Sequence, residues 1–339
     1  MRFADAFSAL EKGPLDAKSV RRAFEAILAG EWTPVQIGAF ASLMRVRGES
    51  ADAIGEAAEA LRAVMAGVDH GLEIVADTCG TGGDGAHTIN VSTAAAIVVA
   101  ACDVPVAKHG NRSVSSRCGS ADVVAALGID IDLDPALQAE VLREAGIAFL
   151  MAPAHHPALR HASTARRELG VRTIFNALGP LVNPARATHQ LVGVYDDALR
   201  PIMAAALGRL GSQRAWVVRS EDGLDEVSPA APTRVSVFEN GAVTEHVIAP
   251  EDFGVARTAL EALAGGDAEG NARIIESLLS GDPHAAIEAV VLNAAAALAV
   301  VRGGDPKMHA TSAREAITSG RAKAKLEGWR AAVKKRKKT

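Results

Sequence analysis

Asp77-Thr78-Cys79-Gly80-Thr81-Gly82-Gly83-Asp84-Gly85-Ala86-His87-Thr88-Ile89-Asn90-Val91-Ser92-Thr93 is the stretch that decides the fold. Apolar residues 72–76 before it predict a short strand, and residues 94–101 after it predict a buried helix. Glycines allow positive φ and close approach of the backbone, and a helix start presents free amides with partial positive charge. A strand, a glycine loop and a helix start together predict an anion-binding turn. The alternative is a glycine-rich connection that binds nothing. The stretch matches neither of the usual nucleotide-binding patterns, GxxxxGK[ST] and GxGxxG.

The composition is that of a globular protein with a sizeable core. The chain has 339 residues, of which 49% are hydrophobic and 22% charged, with a formal net charge of −4. This charge argues against a wholly basic nucleic-acid-binding protein. The three cysteines are scattered, which predicts a reducing compartment without a disulfide framework. No signal peptide and no uncharged apolar run of about 18–20 residues is evident, so we expect a cytoplasmic protein without a membrane span.

The chain changes character near residue 70. Residues 1–70 carry apolar side chains at helical spacing, with Thr33-Pro34 and Ser50 as predicted helix starts. Beyond them, predicted strands alternate with helices, which indicates an α/β fold with a mostly parallel central sheet flanked by helices, plus a small all-helical domain. The predicted strands are 72–76, 104–107, 148–151, 190–195 and 215–219, followed by a hairpin of 234–238 and 243–247 around Asn240-Gly241. Further helices are predicted from Asp134-Pro135, over 156–169 and over 198–210.

The same pattern predicts how the domains are divided. We expect residues 1–70 to form the small helical domain and a segment of about 157–188, rich in proline and glycine near its end, to return to it. Residues 71–156 and 189–339 would then form the large α/β domain.

Polar clusters follow four of the predicted strands. They are the glycine loop, residues 108–116, His155-His156, and the turn that contains Asp225-Glu226. Ligands of parallel sheets lie outside the carboxyl ends of the strands, so we expect these clusters to meet at one edge.

The chemistry of two clusters indicates a phosphate ligand. Lys108, Asn111, Arg112 and three serines at 113, 115 and 116 offer cationic and hydroxyl donors that suit several phosphate oxygens. The paired carboxylates Asp225-Glu226 would repel such a ligand unless a cation lay between, and Mg²⁺ is commonly held by one or two carboxylates plus substrate phosphates. The alternatives are a polar surface loop and a solvated acidic turn.

Two groups of basic residues are less specific. Arg166-Arg167 lies on a predicted helix, and an arginine fork binds planar carboxylates, although exposed arginine pairs are common. The tail at residues 334–338 is basic and is expected to be a frayed, solvated end, with nucleic-acid binding as the alternative.

Residues 79–93, Lys108-His109-Gly110-Asn111-Arg112 with Ser115-Ser116, residues 176–184 and Asp225-Glu226 together resemble the anthranilate phosphoribosyltransferase family of tryptophan biosynthesis. The match runs over nearly the whole chain in the same order. The resemblance implies a helical domain joined to a larger α/β domain, and usually a homodimer formed through the helical domains. It also implies an Mg²⁺-dependent pentosyltransferase that transfers the ribosyl phosphate of 5-phosphoribosyl 1-diphosphate to the amine of anthranilate.

The resemblance carries site residues over to this sequence. For the phosphoribosyl diphosphate it implies Gly80, Gly83, Asp84, Thr88, Asn90, Val91, Ser92, Thr93, Lys108, His109, Gly110, Asn111, Arg112, Ser113, Val114, Ser115, Ser116 and Ser120. For anthranilate it implies Gly80, Asn111, Arg166, His155 and Pro180, with Arg166 facing the carboxylate. For Mg²⁺ it implies Ser92, Asp225 and Glu226. No general acid or base is assigned, because an aromatic amine is largely unprotonated at pH 7.

Two other functions stay open. A pyrimidine nucleoside phosphorylase would share the architecture and a related glycine loop, but Asn111-Arg112 and Arg166 argue against it. A non-catalytic relative that binds nucleic acid is supported by the basic tail alone.

Overall fold

A seven-stranded sheet lies at the centre of the fold in a computed structural model that describes residues 1–112 and 118–337. Its strands are β1 (Ala76–Asp77), β2 (Val106–Gly110), β3 (Ile147–Met151), β4 (His189–Gly193), β5 (Arg214–Ser220), β6 (Thr233–Glu239) and β7 (Ala242–Ile248). Their order across the sheet is β3-β2-β1-β4-β5-β6-β7. Strands β1 to β5 run parallel, whereas β6 and β7 form an antiparallel hairpin on β5. The predicted α/β class with a mostly parallel sheet is therefore confirmed.

The N-terminal region folds into helices α1 (Phe3–Lys12), α2 (Ala17–Leu28), α3 (Pro34–Arg47) and α4 (Ala51–Ala63). Both predicted helix starts are present. Thr33 and Gln36 form a capping box with Pro34 at the first helical position, and the Ser50 hydroxyl accepts the amide of Ala53 at 3.1 Å. Each cap satisfies an amide that the helix itself leaves unpaired.

Eleven further helices lie in the described residues after the first strand. They are α5 (Val91–Ala101), α6 (Ser120–Ala126), α7 (Pro135–Ala145), α8 (Ala152–His155), α9 (Arg160–Leu169), α10 (Ile174–Ala177), α11 (Leu199–Arg209), α12 (Ala268–Leu279), α13 (Ile287–Arg302), α14 (Pro306–Thr318) and α15 (Arg321–Arg336). Helix α5 is apolar on all sides and every residue in it except Ser92 is buried, as expected for a helix enclosed by other elements.

The buried apolar residues form two clusters. The larger one lies around α5, α13 and the strands β1 to β3. The second joins the N-terminal helices to α9 and α10, and it continues onto α11 and one face of β4 and β5. The segment after β3 therefore packs against the N-terminal helices, and the glycine loop lies in the part of the chain that belongs to the larger cluster.

Several element bounds differ from the sequence expectation. The first strand covers Ala76–Asp77 instead of 72–76, because its neighbour Pro105 has no amide to extend the pairing. The second strand is shifted towards the C-terminus, to Val106–Gly110. The predicted helix over 156–169 is split into a 3₁₀ turn, Pro157–Leu159, and α9.

The basic tail differs from a frayed end. Residues 334–336 continue α15, and the side chains of Lys335 and Arg336 form ion pairs with Glu144 of α7. Across the described parts of the chain, no helix is both long enough and apolar enough to cross a bilayer.

Candidate functional site

The glycine loop joins the end of β1 to the start of α5. Gly82, Gly83 and Gly85 have φ angles of 65°, 84° and 78°, which residues with a side chain rarely adopt. The amide of Thr81 donates a 2.8 Å hydrogen bond to the carbonyl of Gly193, the last residue of β4. The loop is thereby held at the carboxyl end of the parallel strands, where such sheets bind ligands.

Gly80 lies where this loop passes the acidic turn that follows β5. A Cβ atom at position 80 would come within 3.2 Å of both Asp225 Oδ2 and the carbonyl oxygen of Gly193. The absence of a side chain therefore allows the carboxylate to approach the loop backbone.

Lys108 is a buried cation beneath the loop. The sequence placed Lys108, His109 and Gly110 after the second strand, but they are its last three residues. Lys108 is 2% exposed, and its Nζ donates to the carbonyl and hydroxyl oxygens of Thr78 at 3.1 Å each and to Ser92 Oγ at 3.3 Å. It connects the beginning of the glycine loop to the first turn of α5.

Three carboxylates from two regions converge beside the loop. The amide of Asp225 donates to Asp84 Oδ2 at 3.5 Å, and the amide of Ser92 donates to Glu226 Oε1 at 3.2 Å. Burial raises the pKa of both Asp225 and Glu226. The charge of Asp84 raises the pKa of Asp225 further, and the charge of Asp225 does the same to Glu226. Like charges that are costly to ionise together favour the uptake of a cation between them.

The donor set fits a magnesium ion that arrives with a phosphate ligand. Within residues 1–112 and 118–337, no group of three or more His, Cys, Asp or Glu side chains is arranged to hold a metal alone. Mg²⁺ usually needs one or two carboxylates, with phosphate and water oxygens completing its shell. Asp225 and Glu226 are two such carboxylates, and Ser92 Oγ lies in the same contact network.

Asn90 begins α5, and its side chain is held by two other parts of the chain. Asn90 Oδ1 accepts from Asn271 Nδ2 at 3.0 Å, and its Nδ2 donates to the carbonyl of Cys118 at 3.4 Å. Asn271 belongs to α12, far away in sequence, and no motif pointed to it. The protein therefore fixes the amide of Asn90 before any ligand binds.

The other predicted residues at the end of the glycine loop have different environments. Thr88 forms an isolated antiparallel bridge with Ala264. Val91 and Thr93 are buried in the first turn of α5, and Thr93 Oγ1 has no hydrogen-bond partner among the described atoms. Val91 therefore contributes backbone rather than an exposed side chain.

Asn111, just after β2, contacts the start of α6. The carbonyl of Asn111 accepts the amide of Ala121 at 3.1 Å and Ser120 Oγ at 3.4 Å. The guanidinium of Arg112 forms a 2.9 Å ion pair with Asp122. Ser120 therefore lies beside the end of β2. The predicted contacts Ser113, Val114, Ser115 and Ser116 lie outside the described residues.

Three buried histidines lie next to the short turns after β3 and α10. His109 Nδ1 is 3.0 Å from the carbonyl oxygen of Gly179, and His155 Nδ1 is 2.6 Å from that of Ala66. The rings of His109 and His156 are 5.2 Å apart between centroids. Burial lowers the pKa of all three, that of His156 to about 4, and the other histidines lower the pKa of His109 further. The cluster is therefore neutral at pH 7.

Arg166 is a half-buried cation on α9. Its Cζ lies 5.9 Å from the ring centroid of Phe175. Burial lowers its pKa, and no carboxylate in the described chain acts on it enough to oppose this. Pro180 is buried, and its carbonyl accepts Gln190 Nε2 at 2.8 Å. An unpaired guanidinium in a partly desolvated position suits a planar carboxylate.

A buried network that no sequence motif indicated supports the site from below. Asp77 Oδ1 accepts the amide of His109 at 3.2 Å, and its Oδ2 accepts Asn183 Nδ2 at 2.7 Å. Asn183 also donates to the carbonyl of Ala107 at 2.8 Å. Burial raises the pKa of Asp77 to about 6, and the charge of Lys108 opposes this shift. The sequence showed Asp77 as a loop start and Asn183 as a turn residue, because their meeting depends on the tertiary fold.

Two family models match consecutive parts of the chain. Residues 8–65 match the glycosyl transferase family helical bundle domain, and residues 72–323 match the glycosyl transferase family a/b domain.

Curated relatives cover most of the chain. The anthranilate phosphoribosyltransferase of Methylobacterium radiotolerans is 50% identical over 92% of this chain and 90% of its own length. The anthranilate phosphoribosyltransferase of Myxococcus xanthus is 49% identical over 92% and 93%.

Solved structures agree with this similarity. The crystal structure of anthranilate phosphoribosyltransferase from Thermus thermophilus superimposes with a TM-score of 0.92 at 39% identity, covering 97% of this chain and 99% of that one. The Saccharomyces cerevisiae enzyme in complex with PRPP and Mg gives a TM-score of 0.86 at 30% identity, covering 95% and 94%.

Proposed function

This chain belongs to the anthranilate phosphoribosyltransferase family, and we propose how its residues carry out the reaction of that family. The reaction transfers the phosphoribosyl group of 5-phosphoribosyl 1-diphosphate to the amine of anthranilate. It gives N-(5-phosphoribosyl)anthranilate and diphosphate, the second step of tryptophan synthesis from chorismate. The observation that carries the proposal is the contact network of the glycine loop, Lys108 and Asp225-Glu226 at one edge of the sheet.

The donor is proposed to bind along the glycine loop and the segment after β2. The contacts are Gly80, Gly83, Asp84, Thr88, Asn90 to Thr93, Lys108 to Ser116 and Ser120. The amides at the start of α5 and the loop offer partial positive charge to the diphosphate. Lys108 is already held by Thr78 and Ser92, so its charge is oriented before the donor arrives.

Mg²⁺ is used by this family, and the carboxylates of Asp225 and Glu226 with Ser92 would hold it here. When bound, the ion supplies positive charge that neutralises the diphosphate. The two carboxylates favour a cation because burial and mutual repulsion make them costly to ionise alone.

Anthranilate is proposed to lie between the glycine loop and the turn after α10. Its contacts are Gly80, Asn111, His155, Arg166 and Pro180. The guanidinium of Arg166 would face the carboxylate, since it has no protein counterion in the described chain. The neutral histidine cluster offers a polar wall without a competing charge.

The reaction places positive charge on the ribose ring and negative charge on the departing diphosphate. Holding the amine in line with C1 can supply roughly 7–11 kcal/mol of the barrier. Donors aimed at the leaving oxygens supply an electrostatic share. The amine is largely unprotonated at pH 7, so no residue is assigned as general acid or base.

The organisation of the chain is proposed as follows. Residues 1–70 with about 157–188 form a helical domain, and residues 71–156 and 189–339 form the donor-binding domain. The exposed Val35 and Val46 on α3 support a homodimer formed through the helical domain. We further propose that the enzyme is cytoplasmic. We also propose that it does not bind nucleic acid, because the basic tail is paired with acidic residues of α7.

The test follows the loss of anthranilate fluorescence when 5-phosphoribosyl 1-diphosphate is added with and without Mg²⁺. We expect turnover that needs both the donor and the ion. Phosphorolysis of thymidine and uridine, assayed in parallel, should be absent. Phosphorolysis without anthranilate turnover would instead identify a nucleoside phosphorylase. A crystal soaked with donor and Mg²⁺ that left residues 80–93 empty would overturn the proposed binding site.

A further inference from the structure

Arg172 lies in the turn between α9 and α10, yet its side chain reaches the glycine loop. One guanidinium nitrogen, Nη2, donates to the carbonyl oxygen of Gly83. A Cβ at position 83 would come within 2.9 Å of that nitrogen, and Gly83 has a φ of 84°. Glycine at position 83 therefore makes room for the guanidinium as well as for the loop conformation.

The guanidinium of Arg172 is supported by an aromatic ring. Its Cζ lies 4.1 Å from the ring centroid of Tyr195, within the range of a cation–π contact. Tyr195 follows β4, and its amide donates to Thr81 Oγ1 at 3.0 Å. The backbone of Tyr195 thus contacts the loop at Thr81. Its ring supports Arg172, which in turn contacts Gly83.

The ring of Tyr195 also faces the N-terminal helices. Burial is the main cause of the raised pKa of the Tyr195 hydroxyl. The charge of Glu49, after α3, raises this pKa further, whereas Arg45 of α3 lowers it. The chain of contacts therefore runs from α3 through Tyr195 and Arg172 to the glycine loop.

The charge of Arg172 is not neutralised locally. Within residues 1–112 and 118–337, its described partners are a carbonyl and an aromatic ring, and it forms no ion pair with a carboxylate. A carbonyl held by a guanidinium presents less negative charge to an anion nearby, and the guanidinium adds positive charge at the loop.

We propose that Arg172 is a positioning residue for the sugar-phosphate donor, which sets the shape of the glycine loop through the Gly83 carbonyl. The inference rests on the proposed function, because it assumes that this loop binds the donor. A glycine loop loses much conformational freedom when it is ordered. If Arg172 orders the loop beforehand, donor binding no longer has to supply that entropy, and affinity for the donor rises.

Arg172→Ala is expected to weaken binding of the Mg²⁺ complex of 5-phosphoribosyl 1-diphosphate by at least about tenfold, as for loss of a charged hydrogen bond. The KM for the donor should rise by a similar factor, while kcat and the KM for anthranilate change little. Titration calorimetry with the Mg²⁺ complex of the donor, in the absence of anthranilate, measures the affinity. Steady-state kinetics measure kcat and the two KM values. Arg167→Ala is the matched control, since Arg167 is an exposed arginine at the end of α9.

Two further measurements separate positioning from general damage to the fold. Methylguanidinium should restore donor affinity to Arg172→Ala in a saturable manner and leave the Arg167→Ala protein unchanged. Tyr195→Phe, which keeps the ring, should bind the donor nearly as the parent does, whereas Tyr195→Leu should lose affinity.

The outcomes of this experiment are distinct from those for the proposed function. If the parent chain shows no donor-dependent loss of anthranilate, the proposed function fails. If the parent is active and Arg172→Ala binds the donor as tightly as Arg167→Ala, the positioning role of Arg172 fails. A fall in kcat alone, without rescue by methylguanidinium, would also overturn it.

Discussion

The backbone amide of Ser92 donates a 3.2 Å hydrogen bond to Glu226 Oε1, across 134 positions of sequence. It joins the first turn of α5, where the donor phosphates are proposed to bind, to the acidic turn after β5. The same serine accepts from Lys108 Nζ at 3.3 Å through its hydroxyl. One residue therefore connects the helix start, the buried cation and a proposed metal ligand.

Removing the charge of Glu226 tests its role in holding Mg²⁺. Glu226→Gln keeps the size of the side chain and its acceptor for the Ser92 amide, but loses the charge. We expect kcat/KM to fall roughly 100-fold, in the range found when an electrostatic contact at the reacting centre is removed. The Mg²⁺ concentration for half-maximal activity should also rise, as measured by titration at fixed donor.

Glu221→Gln is the control for this change. Glu221 lies in the same turn, is exposed, and forms a 3.6 Å ion pair with Arg234 away from the loop. Its activity and Mg²⁺ dependence should match the parent. Unchanged Mg²⁺ dependence in Glu226→Gln would remove this residue from the metal site.

The metal-free protein is expected to lose stability as the pH rises above about 6.5, the ordinary histidine pKa, because the buried histidines are then neutral in both the folded and the unfolded state. Burial and mutual repulsion raise the pKa of Asp225 and Glu226 in the folded state. In that pH range the two carboxyls are ionised in the unfolded state, where their pKa is about 4, so the folded state holds more protons than the unfolded state. The free energy of unfolding then falls with rising pH until the raised pKa values are passed.

Thermal midpoints with a chelator, from about pH 6.5 to about pH 8.5, measure this effect. Glu226→Gln lacks one of the two groups and should decline less steeply than the parent. Mg²⁺ with diphosphate should restore more stability at the alkaline end, where both carboxylates are charged. Parallel curves for parent and variant would contradict the role of this pair.

The fold could be predicted largely because its signals are local. Alternation of strands and helices, the caps at Thr33 and Ser50, and Asn240-Gly241 each depend on a few neighbouring residues. The hairpin even shows the positive φ angles, 51° and 79°, that its sequence predicts. The first strand was misplaced because its length depends on Pro105, which precedes the neighbouring strand β2, and a local pattern cannot show this.

The site was predictable where motifs carry chemistry and unpredictable where buried support is involved. Glycines, Lys108 and Asp225-Glu226 stand out by residue type, and the structure brings them into contact. Asn271 and Asn183 are ordinary in sequence, and their roles come from side chains meeting across the fold. Arg172 had no signal at all, since its partners are a carbonyl and a ring.

Gly110→Ala tests the close packing at the end of β2. A Cβ there would overlap with Ser120 Oγ and lie 2.7 Å from the ring of Phe149. Overpacking of this kind typically costs about 1–3 kcal/mol, so we expect a loss of that size in urea unfolding. Donor affinity should fall as well, because Ser120, a proposed donor contact, must shift.

Gly328→Ala is the same substitution at a position with room for a side chain. Gly328 is exposed on α15, and a Cβ there meets nothing within 4 Å. Alanine is favoured over glycine inside helices by about 0.8–1.0 kcal/mol, so this variant should gain stability and keep donor affinity. Equal stability of the two variants would show that the packing around Gly110 yields without cost.

The basic end of α15 is expected to stabilise the fold weakly and to have no part in ligand binding. Arg336 Nη2 lies 2.7 Å from Glu144 and its Nε lies 3.1 Å from Glu140, while Lys337 pairs with Asp130. Replacing Lys335, Arg336 and Lys337 by glutamine should lower the thermal midpoint slightly at low salt, because exposed ion pairs contribute little to stability. The loss should shrink as salt is added, because exposed pairs are screened.

Glutamine at Lys12, Lys18 and Lys323, which are exposed, makes the same change in net charge and should leave stability unchanged. Both variants should keep full turnover of anthranilate. A salt-dependent affinity of the parent for DNA that the tail variant loses would instead assign the tail to nucleic-acid binding.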